Sequence, residues 1–290
     1  MDGPIAIAAT AAKADVFAHA RNLRTGADVG YFADASVVTA SVFKVPVLVD
    51  YVRQVDAGRI DPRARIRITA ANRTVGPTGL SVFSDDADWS IRDLATSMIT
   101  VSDNAATDIL VELLGLDQIN ATMRQLGLSR TVVEGDCRAL FASMATDLGV
   151  RDDAEVEAII LAQPELVHTL RVCDAERTNR STPRESTDLL SQIWTDRAAT
   201  PAGCAEIRRI LGLQIWPHRL TSGFPADDIT VSGKTGTIGI VRNEIGVVEY
   251  PDGGQFAVAV FLRTHEFGYR QPTADTLIGR VAAELIANIR

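Results

Sequence analysis

Ser41-Val42-Phe43-Lys44 runs directly into the apolar stretch Val45-Pro46-Val47-Leu48-Val49. Apolar residues continue to Val55 and occupy nearly every side of a helix, which predicts a helix from Ser41 to about Ala57. Gly58 follows and is typical of the residue that ends a helix. Because little of its surface is polar, we expect this helix to be buried on most sides.

The segments on either side of this helix divide into helical and strand-forming zones. Residues 41–200 are mostly helical in pattern, with capping boxes that begin at Ser90 and at Thr182. β-rich runs near both ends of the chain predict strands. The predicted helices are 41–57, 91–100, 105–115, 183–195 and 273–289, and the predicted strands are a hairpin at 14–33 and runs at 229–231, 245–250 and 256–262, the last two joined by a turn at 251–254.

Strands at both ends of the chain and helices between them predict an α/β fold of the α+β kind. Residues 1–38 and 204–290 are expected to form one α/β lobe together. Residues 39–203 are expected to form an inserted all-α lobe. The sequence contains no internal repeat.

The composition indicates a globular protein. The chain has 290 residues, of which 46% are hydrophobic and 23% charged, so disorder and coiled coil are excluded. With 29 basic against 37 acidic residues and no basic stripe, nucleic acid is not an expected partner. No apolar run reaches the roughly 18 residues that a membrane helix needs. The start Met1-Asp2-Gly3-Pro4 lacks the basic part of a signal peptide, which favours the cytoplasm, or the periplasm or medium for a trimmed mature form.

The cysteines and histidines have no metal-site spacing. Cys137, Cys173 and Cys204 are far apart and form no C-x-x-C pair, so neither a disulfide framework nor a zinc site is predicted. The histidines lie singly, and structural roles are expected for His19, His168, His218 and His265. No metal and no cofactor are therefore expected.

The S-x-x-K motif at Ser41 and Lys44 places a hydroxyl and an amine one turn apart on the same side of a helix. Free N–H groups at the start of the helix favour negative charge that develops near Ser41. Burial lowers the pKa of a lysine, and a neutral Lys44 can accept the proton of Ser41. Alone, the motif is common by chance and also fits a serine that caps the helix, followed by a lysine whose amine extends to solvent.

Two further short motifs carry groups suited to an acyl compound. Ser102-Asp103-Asn104 interrupts two helical stretches and offers a hydroxyl for proton transfer and an amide for holding a substrate. Lys234-Thr235-Gly236-Thr237 lies on a predicted strand, where the cation and hydroxyls suit a carboxylate and the glycine permits close approach. Each also has a structural interpretation, as a helix cap or as an edge-strand lysine.

Together the three motifs resemble a known set. S-x-x-K, S-D-N about 60 residues later and K-T-G about 130 residues after that form the signature of active-site-serine β-lactamases and penicillin-binding proteins. The chain resembles the class A β-lactamases over most of its length, least at about 135–178. Ile99 to Ala106 is similar to the family's segment around S-D-N, and Thr237 to Glu244 is similar to its K-T-G-T strand and the R-N-[DE] strand that follows.

The resemblance implies a β-lactamase-like fold, with an antiparallel sheet flanked by helices and an active site between the two lobes. It implies that Ser41 forms an acyl-enzyme with Lys44 as its base, and that Ser102 passes a proton to the leaving nitrogen. The backbone N–H groups of Ser41 and Thr237 are the implied oxyanion hole. The implied catalytic residues are Ser41, Lys44, Ser102 and Lys234, and the implied substrate-binding residues are Asn104, Thr235, Gly236, Thr237 and Arg242.

The sequence departs from the family in the part that hydrolyses the acyl-enzyme. Class A enzymes carry an Ω-loop motif, E-x-x-L-N, whose glutamate activates water, and this motif does not occur at its expected place near 134–137. Gln163-Pro164-Glu165-Leu166-Val167 is similar, but glutamine cannot take a proton from water. An extra helical segment is predicted between Gly135 and Thr182. The candidate substitute bases are Glu134, Asp136, Glu165 and Glu176.

Three functions remain open for a monomer that takes a small-molecule or peptide-like acyl substrate bearing a carboxylate. The first is hydrolysis of a β-lactam or related amide. The second is a D,D-peptidase, esterase or acyltransferase that uses the same acyl-enzyme. The third is a β-lactam or peptide binder that deacylates slowly. The missing glutamate makes acylation, rather than rapid deacylation, the step that the sequence predicts.

Overall fold

Helices occupy the middle of the chain and long strands its two ends in the computed structural model, which describes residues 3–151 and 153–290. The helices are α1 (Pro4–Ala11), α2 (Lys44–Asp56), α3 (Ile91–Thr100), α4 (Asn104–Leu114), α5 (Leu116–Gln125), α6 (Cys137–Leu148), α7 (Asp153–Ala162), α8 (Pro183–Trp194), α9 (Pro201–Leu211) and α10 (Pro272–Ala287). The strands are β1 (Ala14–Asn22), β2 (Asp28–Tyr31), β3 (Val37–Val38), β4 (Arg65–Ile68), β5 (Ala87–Ser90), β6 (Arg180–Ser181), β7 (Thr230–Ile238), β8 (Val241–Glu249) and β9 (Gln255–Thr264).

The main sheet is built from both ends of the chain. Its strand order is β2-β1-β9-β8-β7, and every neighbouring pair is antiparallel. The N-terminal hairpin therefore lies beside β9, and β7 lies at one edge. The predicted α+β fold with an antiparallel sheet is confirmed.

The predicted zones need two corrections. Two small antiparallel sheets, β3–β6 and β4–β5, lie in the part predicted to be mostly helical. In β4 the alternation Arg65-Ile66-Arg67-Ile68 is a strand pattern that pairs with Ala87–Ser90. The strand predicted at 229–231 is also too short, because β7 continues through the K-T-G-T motif to Ile238.

The strand β9 is buried on both faces and separates two cores. Ala257, Ala259 and Phe261 pack with α2, α3, α4, α8 and α9 on one face. Val258 and Val260, which alternate with them, pack with α1 and α10 on the other face. The buried helix α2 lies in the first core, as its apolar sequence predicts.

The extra helical segment predicted between Gly135 and Thr182 contains α6 and α7. Together with residues 164–173 it forms a small core of its own, which includes Val156, Ile160 and Val167 and reaches Ile240 beside the main sheet. No helix in the described residues is both long and apolar enough to cross a membrane.

The division into two lobes, residues 1–38 with 204–290 and residues 39–203, stays a proposal. Its boundary at residue 204 falls within α9, which spans Pro201–Leu211. The helix α8 belongs to the second segment and contacts β1, where Thr187 Oγ1 lies 2.6 Å from His19 Nδ1. The two segments therefore share an extensive interface.

Candidate active site

Ser41 lies in a turn of 3-10 helix, Ala40–Phe43, that continues into α2 at Lys44. In such a turn, side chains three residues apart eclipse one another, so Ser41 and Lys44 project from the same side. Ala40 has a φ of +44°, which is strained for a residue with a Cβ. Ser41 is half-buried and lines a cavity of about 820 Å³.

Lys44 is fully buried beside the S-D-N motif. Its Nζ donates to the Ser102 carbonyl oxygen at 2.7 Å and to Asn104 Oδ1 at 2.9 Å, and it lies 3.2 Å from Ser102 Oγ. Burial lowers the pKa of Lys44, against an opposing effect of nearby acidic groups. A neutral amine can donate to the first two oxygens and accept from the Ser102 hydroxyl. Lys44 can therefore act as a proton acceptor.

The S-D-N motif is held in place by its central residue. Asp103 is buried and caps α4, where its Oδ1 accepts from Ala106 N at 3.1 Å. Its Oδ2 accepts from Leu80 N at 2.7 Å, which fixes the segment that precedes α3. Ser102 has a φ of +62° between α3 and α4, and the adjacent Asn104 donates from Nδ2 to Val75 O at 3.2 Å. Asp103 thus positions its two neighbours.

The strand β7 passes directly over the turn that contains Ser41. A Cβ at Gly236 would lie 2.5 Å from Thr39 O and 3.2 Å from Ser41 N, so only glycine fits there. From β8, Asn243 Nδ2 donates to Val38 O at 2.8 Å and to Thr39 O at 3.1 Å. The K-T-G motif and the S-x-x-K motif therefore meet through their backbones.

The backbone N–H of Thr237 points to the unpaired edge of the sheet. Thr235 N donates to Gln214 Oε1 at 2.6 Å and is therefore directed away from β8. N–H groups two residues apart on a strand point the same way, so that of Thr237 shares this direction. Thr235 and Thr237 line the same cavity as Ser41, as expected for an oxyanion hole formed by Ser41 N–H and Thr237 N–H.

A pair of buried cations lies behind β7. Lys234 Nζ donates to Thr235 O at 3.0 Å, and burial together with repulsion from Lys44 holds the pKa of Lys234 well below its usual value. Arg219 is the second cation, and its guanidinium donates to Gly236 O at 2.9 Å and to Thr237 Oγ1 at 2.7 Å. The sequence did not indicate Arg219, because it lies in a segment without a motif between α9 and β7.

Arg242 also lines the cavity, and its hydrogen bonds go to the loop that follows β9. Its Nη2 donates to Gly268 O at 2.6 Å and to Tyr269 O at 3.2 Å. Its Nη1 lies 3.6 Å from Asp275 Oδ1, and Arg219 Nε donates to the same oxygen at 2.9 Å. Arg242 therefore joins the start of β8 to the loop that follows β9.

The four candidate substitute bases lie away from the cavity. Glu134 pairs with Arg180 at 2.6 Å, and Asp136 caps α6 by accepting from Ala139 N at 2.8 Å. Glu165 and Glu176 are exposed. None of Glu134, Asp136, Glu165 and Glu176 is among the described residues that line the cavity. The sequence analysis missed Glu157, which lines the cavity from α7 and accepts from the Tyr269 hydroxyl at 2.9 Å.

Cys137 comes from the segment where the resemblance places the Ω-loop glutamate, and it reaches the site. Its Sγ lies 3.4 Å from Asn104 Oδ1, which also accepts from Lys44. Burial raises the pKa of the Cys137 thiol to about 12, so the group stays protonated at neutral pH. A protonated thiol cannot activate water.

Nearly the whole chain is similar to known β-lactamases. A model of the beta-lactamase enzyme family matches residues 5–289. The β-lactamase regulatory protein BlaB of Streptomyces cacaoi is 32% identical over 284 residues, which cover 93% of this chain and 91% of BlaB. The crystal structure of a β-lactamase from Sphaerobacter thermophilus is similar at 26% identity and a TM-score of 0.78, and the match covers 99% of this chain and 98% of that one.

The structure of an ancestral class A β-lactamase has the same fold at 22% identity, with a TM-score of 0.78 and a match that covers 99% of this chain and 98% of that one. The resemblance found in the sequence is thus confirmed, and this chain belongs to the beta-lactamase enzyme family and has the class A fold.

Proposed function

We propose that this protein forms an acyl-enzyme at Ser41 with a β-lactam or related amide that bears a carboxylate. One observation carries this proposal: Lys44 Nζ is buried within hydrogen-bond distance of Ser102 and Asn104 while the backbone of β7 contacts the Ser41 turn. Ser41, Ser102, Thr235 and Thr237 line one cavity, and Lys44 is buried against Ser102 and Asn104 at its side. Such a set is what nucleophilic acyl transfer requires.

In the proposed reaction, neutral Lys44 takes the proton of Ser41 as the serine oxygen attacks the carbonyl carbon. The N–H groups of Ser41 and Thr237 stabilise the oxyanion. The C–N bond then breaks, the leaving nitrogen takes the proton of Ser102, and the Lys44 ammonium returns a proton to Ser102. The hydroxyls of Thr235 and Thr237 bind the substrate carboxylate, with Lys234 and Arg219 behind them.

The acyl-enzyme is proposed to be long-lived. Rapid hydrolysis needs a general base within reach of water beside the ester, and none of the four candidate carboxylates lines the cavity. Glu157, which does line it, accepts a hydrogen bond from the Tyr269 hydroxyl at 2.9 Å. The neutral thiol of Cys137 stands beside Asn104 in place of a carboxylate. This favours a β-lactam or peptide binder that deacylates slowly, and the curated relative described above, BlaB, is named a regulatory protein.

The test combines turnover of nitrocefin with intact-mass detection of the protein after mixing with a β-lactam. We expect a persistent adduct with the mass of the whole β-lactam, little turnover, and loss of the adduct in Ser41→Ala but not in Ser84→Ala, an exposed serine away from the cavity. Steady turnover would favour a hydrolase instead. Cleavage of esters or of D-Ala-D-Ala without β-lactam turnover would favour a peptidase or esterase. Absence of any adduct would refute the acyl-enzyme.

A further inference from the structure

The cavity that contains Ser41 has a second part with apolar sides. We call this part the apolar wall and define it as Phe141, Met144, Val156, Ile160, Val167 and Phe267. These residues come from α6, α7, the 3-10 segment Pro164–Thr169 and the loop after β9. The wall is thus built largely by the extra segment between Gly135 and Thr182, where the chain least resembles the class A enzymes.

The apolar wall begins directly beyond the oxyanion hole. A Cβ at Gly239 would lie 2.8 Å from Val167 Cγ2 and 2.9 Å from Cys173 Sγ, so the extra segment packs onto the end of β7. Gly239 is two residues after Thr237, in the turn that follows β7, so the two residues are at most about 7 Å apart. An acyl carbon held by Ser41 and Thr237 is therefore within a few methylene lengths of the wall.

Contacts at the rim hold this part of the cavity in shape. The Tyr269 hydroxyl donates to Glu157 Oε1 at 2.9 Å, which joins the loop after β9 to α7. The rings of Tyr269 and Phe267 meet edge to face with centroids 5.2 Å apart. Arg242 holds the same loop through Gly268 O and Tyr269 O. These hydrogen bonds hold in place the loop and the helix α7 that form the apolar wall.

The two ends of the cavity suit two different parts of one substrate. Thr235, Thr237 and Arg219 offer donors for a carboxylate, whereas the apolar wall offers no compensation for a buried polar substituent. We propose that the apolar wall binds the acyl substituent of the substrate, and that the natural substrate is an amide whose acyl group is a long apolar chain. This rests on the proposed function, because Ser41 fixes the acyl carbon beside the wall.

The test is a series of N-acyl derivatives of 6-aminopenicillanic acid, from acetyl through butanoyl and hexanoyl to octanoyl. The second-order rate of Ser41 acylation is measured by intact mass. Burial of each added methylene is expected to raise the rate about two- to fourfold. Met144→Gln and Phe141→Ser change half-buried wall residues and are expected to flatten this dependence, so that the ratio of the octanoyl rate to the acetyl rate falls.

Leu161→Gln is the matched control, because Leu161 lies on α7 with 57% of its surface exposed and does not line the cavity. It is expected to keep the wild-type dependence on chain length, and thermal unfolding verifies that all three variants fold. If Ser41 of the wild type is acylated at a rate that does not depend on acyl chain length, this inference alone is overturned. It is also overturned if both wall variants keep the wild-type dependence of the rate on chain length. Failure of every compound to acylate Ser41 overturns the proposed function and the inference with it.

Discussion

Lys44 donates hydrogen bonds to Ser102 O and Asn104 Oδ1 from a position without access to solvent. Oxygen acceptors favour the ammonium, whereas burial favours the neutral amine and has the larger effect, so the pKa of Lys44 is lowered. The proposed role of Lys44 as a base depends on this balance. The fraction of neutral Lys44, and with it the acylation rate, should rise as pH increases through this lowered pKa.

Lys44→Arg is expected to reduce the acylation rate about 10²- to 10⁴-fold, because a guanidinium keeps its proton and cannot act as a base. The rate of adduct formation by intact mass is the measurement. Lys13→Arg, at an exposed lysine, is the control and should react like wild type. A Lys44→Arg protein with the wild-type rate would show that another group takes the serine proton.

The single variants Glu134→Gln, Asp136→Asn, Glu165→Gln and Glu176→Gln are expected to leave the lifetime of the acyl-enzyme unchanged. None of these carboxylates lines the cavity in the described part of the chain, so none is expected to contact the ester. The decay of the adduct after removal of excess β-lactam measures the lifetime. A variant with a much longer lifetime would identify its residue as the base.

At the scale of secondary structure elements, the position of β7 against the Ser41 turn depends on Gly236. Gly236→Ala is expected to lower the acylation rate about 100-fold and stability by about 1–3 kcal/mol, because the added Cβ would lie 2.5 Å from Thr39 O and must push the strand away. Acylation kinetics and urea unfolding measure the two effects. Gly212→Ala is the control, since its Cβ would have no neighbour closer than 3.3 Å. Equal behaviour of the two variants would contradict the close approach.

The contact between β1 and α8 predicts a dependence of stability on pH. His19 is buried, its Nδ1 lies 2.6 Å from Thr187 Oγ1, and its Nε2 lies 3.0 Å from Arg184 Nη1. Burial, and then the charge of Arg184, lower the pKa of His19 from 6.5 to about 4. Between these values the unfolded chain binds a proton that the folded protein does not, so stability is lost as pH falls from about 6.5 towards 4.

The neutral variant His19→Asn should lack this part of the pH dependence. Between about pH 7 and pH 4.5 the wild type is expected to lose about 2 kcal/mol more of its free energy of unfolding than the variant does. Urea unfolding at the two pH values gives the difference. Equal losses in both proteins would mean that His19 is not held neutral.

Local sequence signals predicted the helices and strands better than the long-range contacts between them. Ser90 and Thr182 cap α3 and α8 as predicted, by accepting from the backbone N–H of Asp93 and Glu185. Such caps need only four neighbouring residues. In contrast, Arg219 and Glu157 reach the cavity only because distant segments pack together there, and no short motif marks either of them. The same long-range packing placed Cys137, rather than a carboxylate, beside Asn104.

At the scale of the whole molecule, one core joins the helices to the main sheet. Leu48 of α2, Met98 of α3 and Leu190 of α8 pack in the same cluster as Ile245 and Phe261 of the sheet. Neither proposed lobe can unfold without exposing this cluster. We therefore expect a single cooperative unfolding transition.

Urea unfolding monitored by tryptophan fluorescence and by far-UV circular dichroism tests this expectation. The three tryptophans, Trp89, Trp194 and Trp216, lie outside the five-stranded sheet, whereas circular dichroism reports on the whole chain. The two curves should coincide. Curves that separate would show that parts of the chain unfold independently.

The positive φ angles at Ala40 and Ser102, +44° and +62°, place two unfavourable conformations within two residues of the groups proposed to perform the chemistry. Glycine would adopt the positive φ at residue 40 freely. Ala40→Gly should therefore raise the melting temperature and leave the side chain of Ser41 less firmly positioned. The strain at Ala40 is therefore a cost in stability that the fold carries directly beside the residue proposed to form the acyl-enzyme.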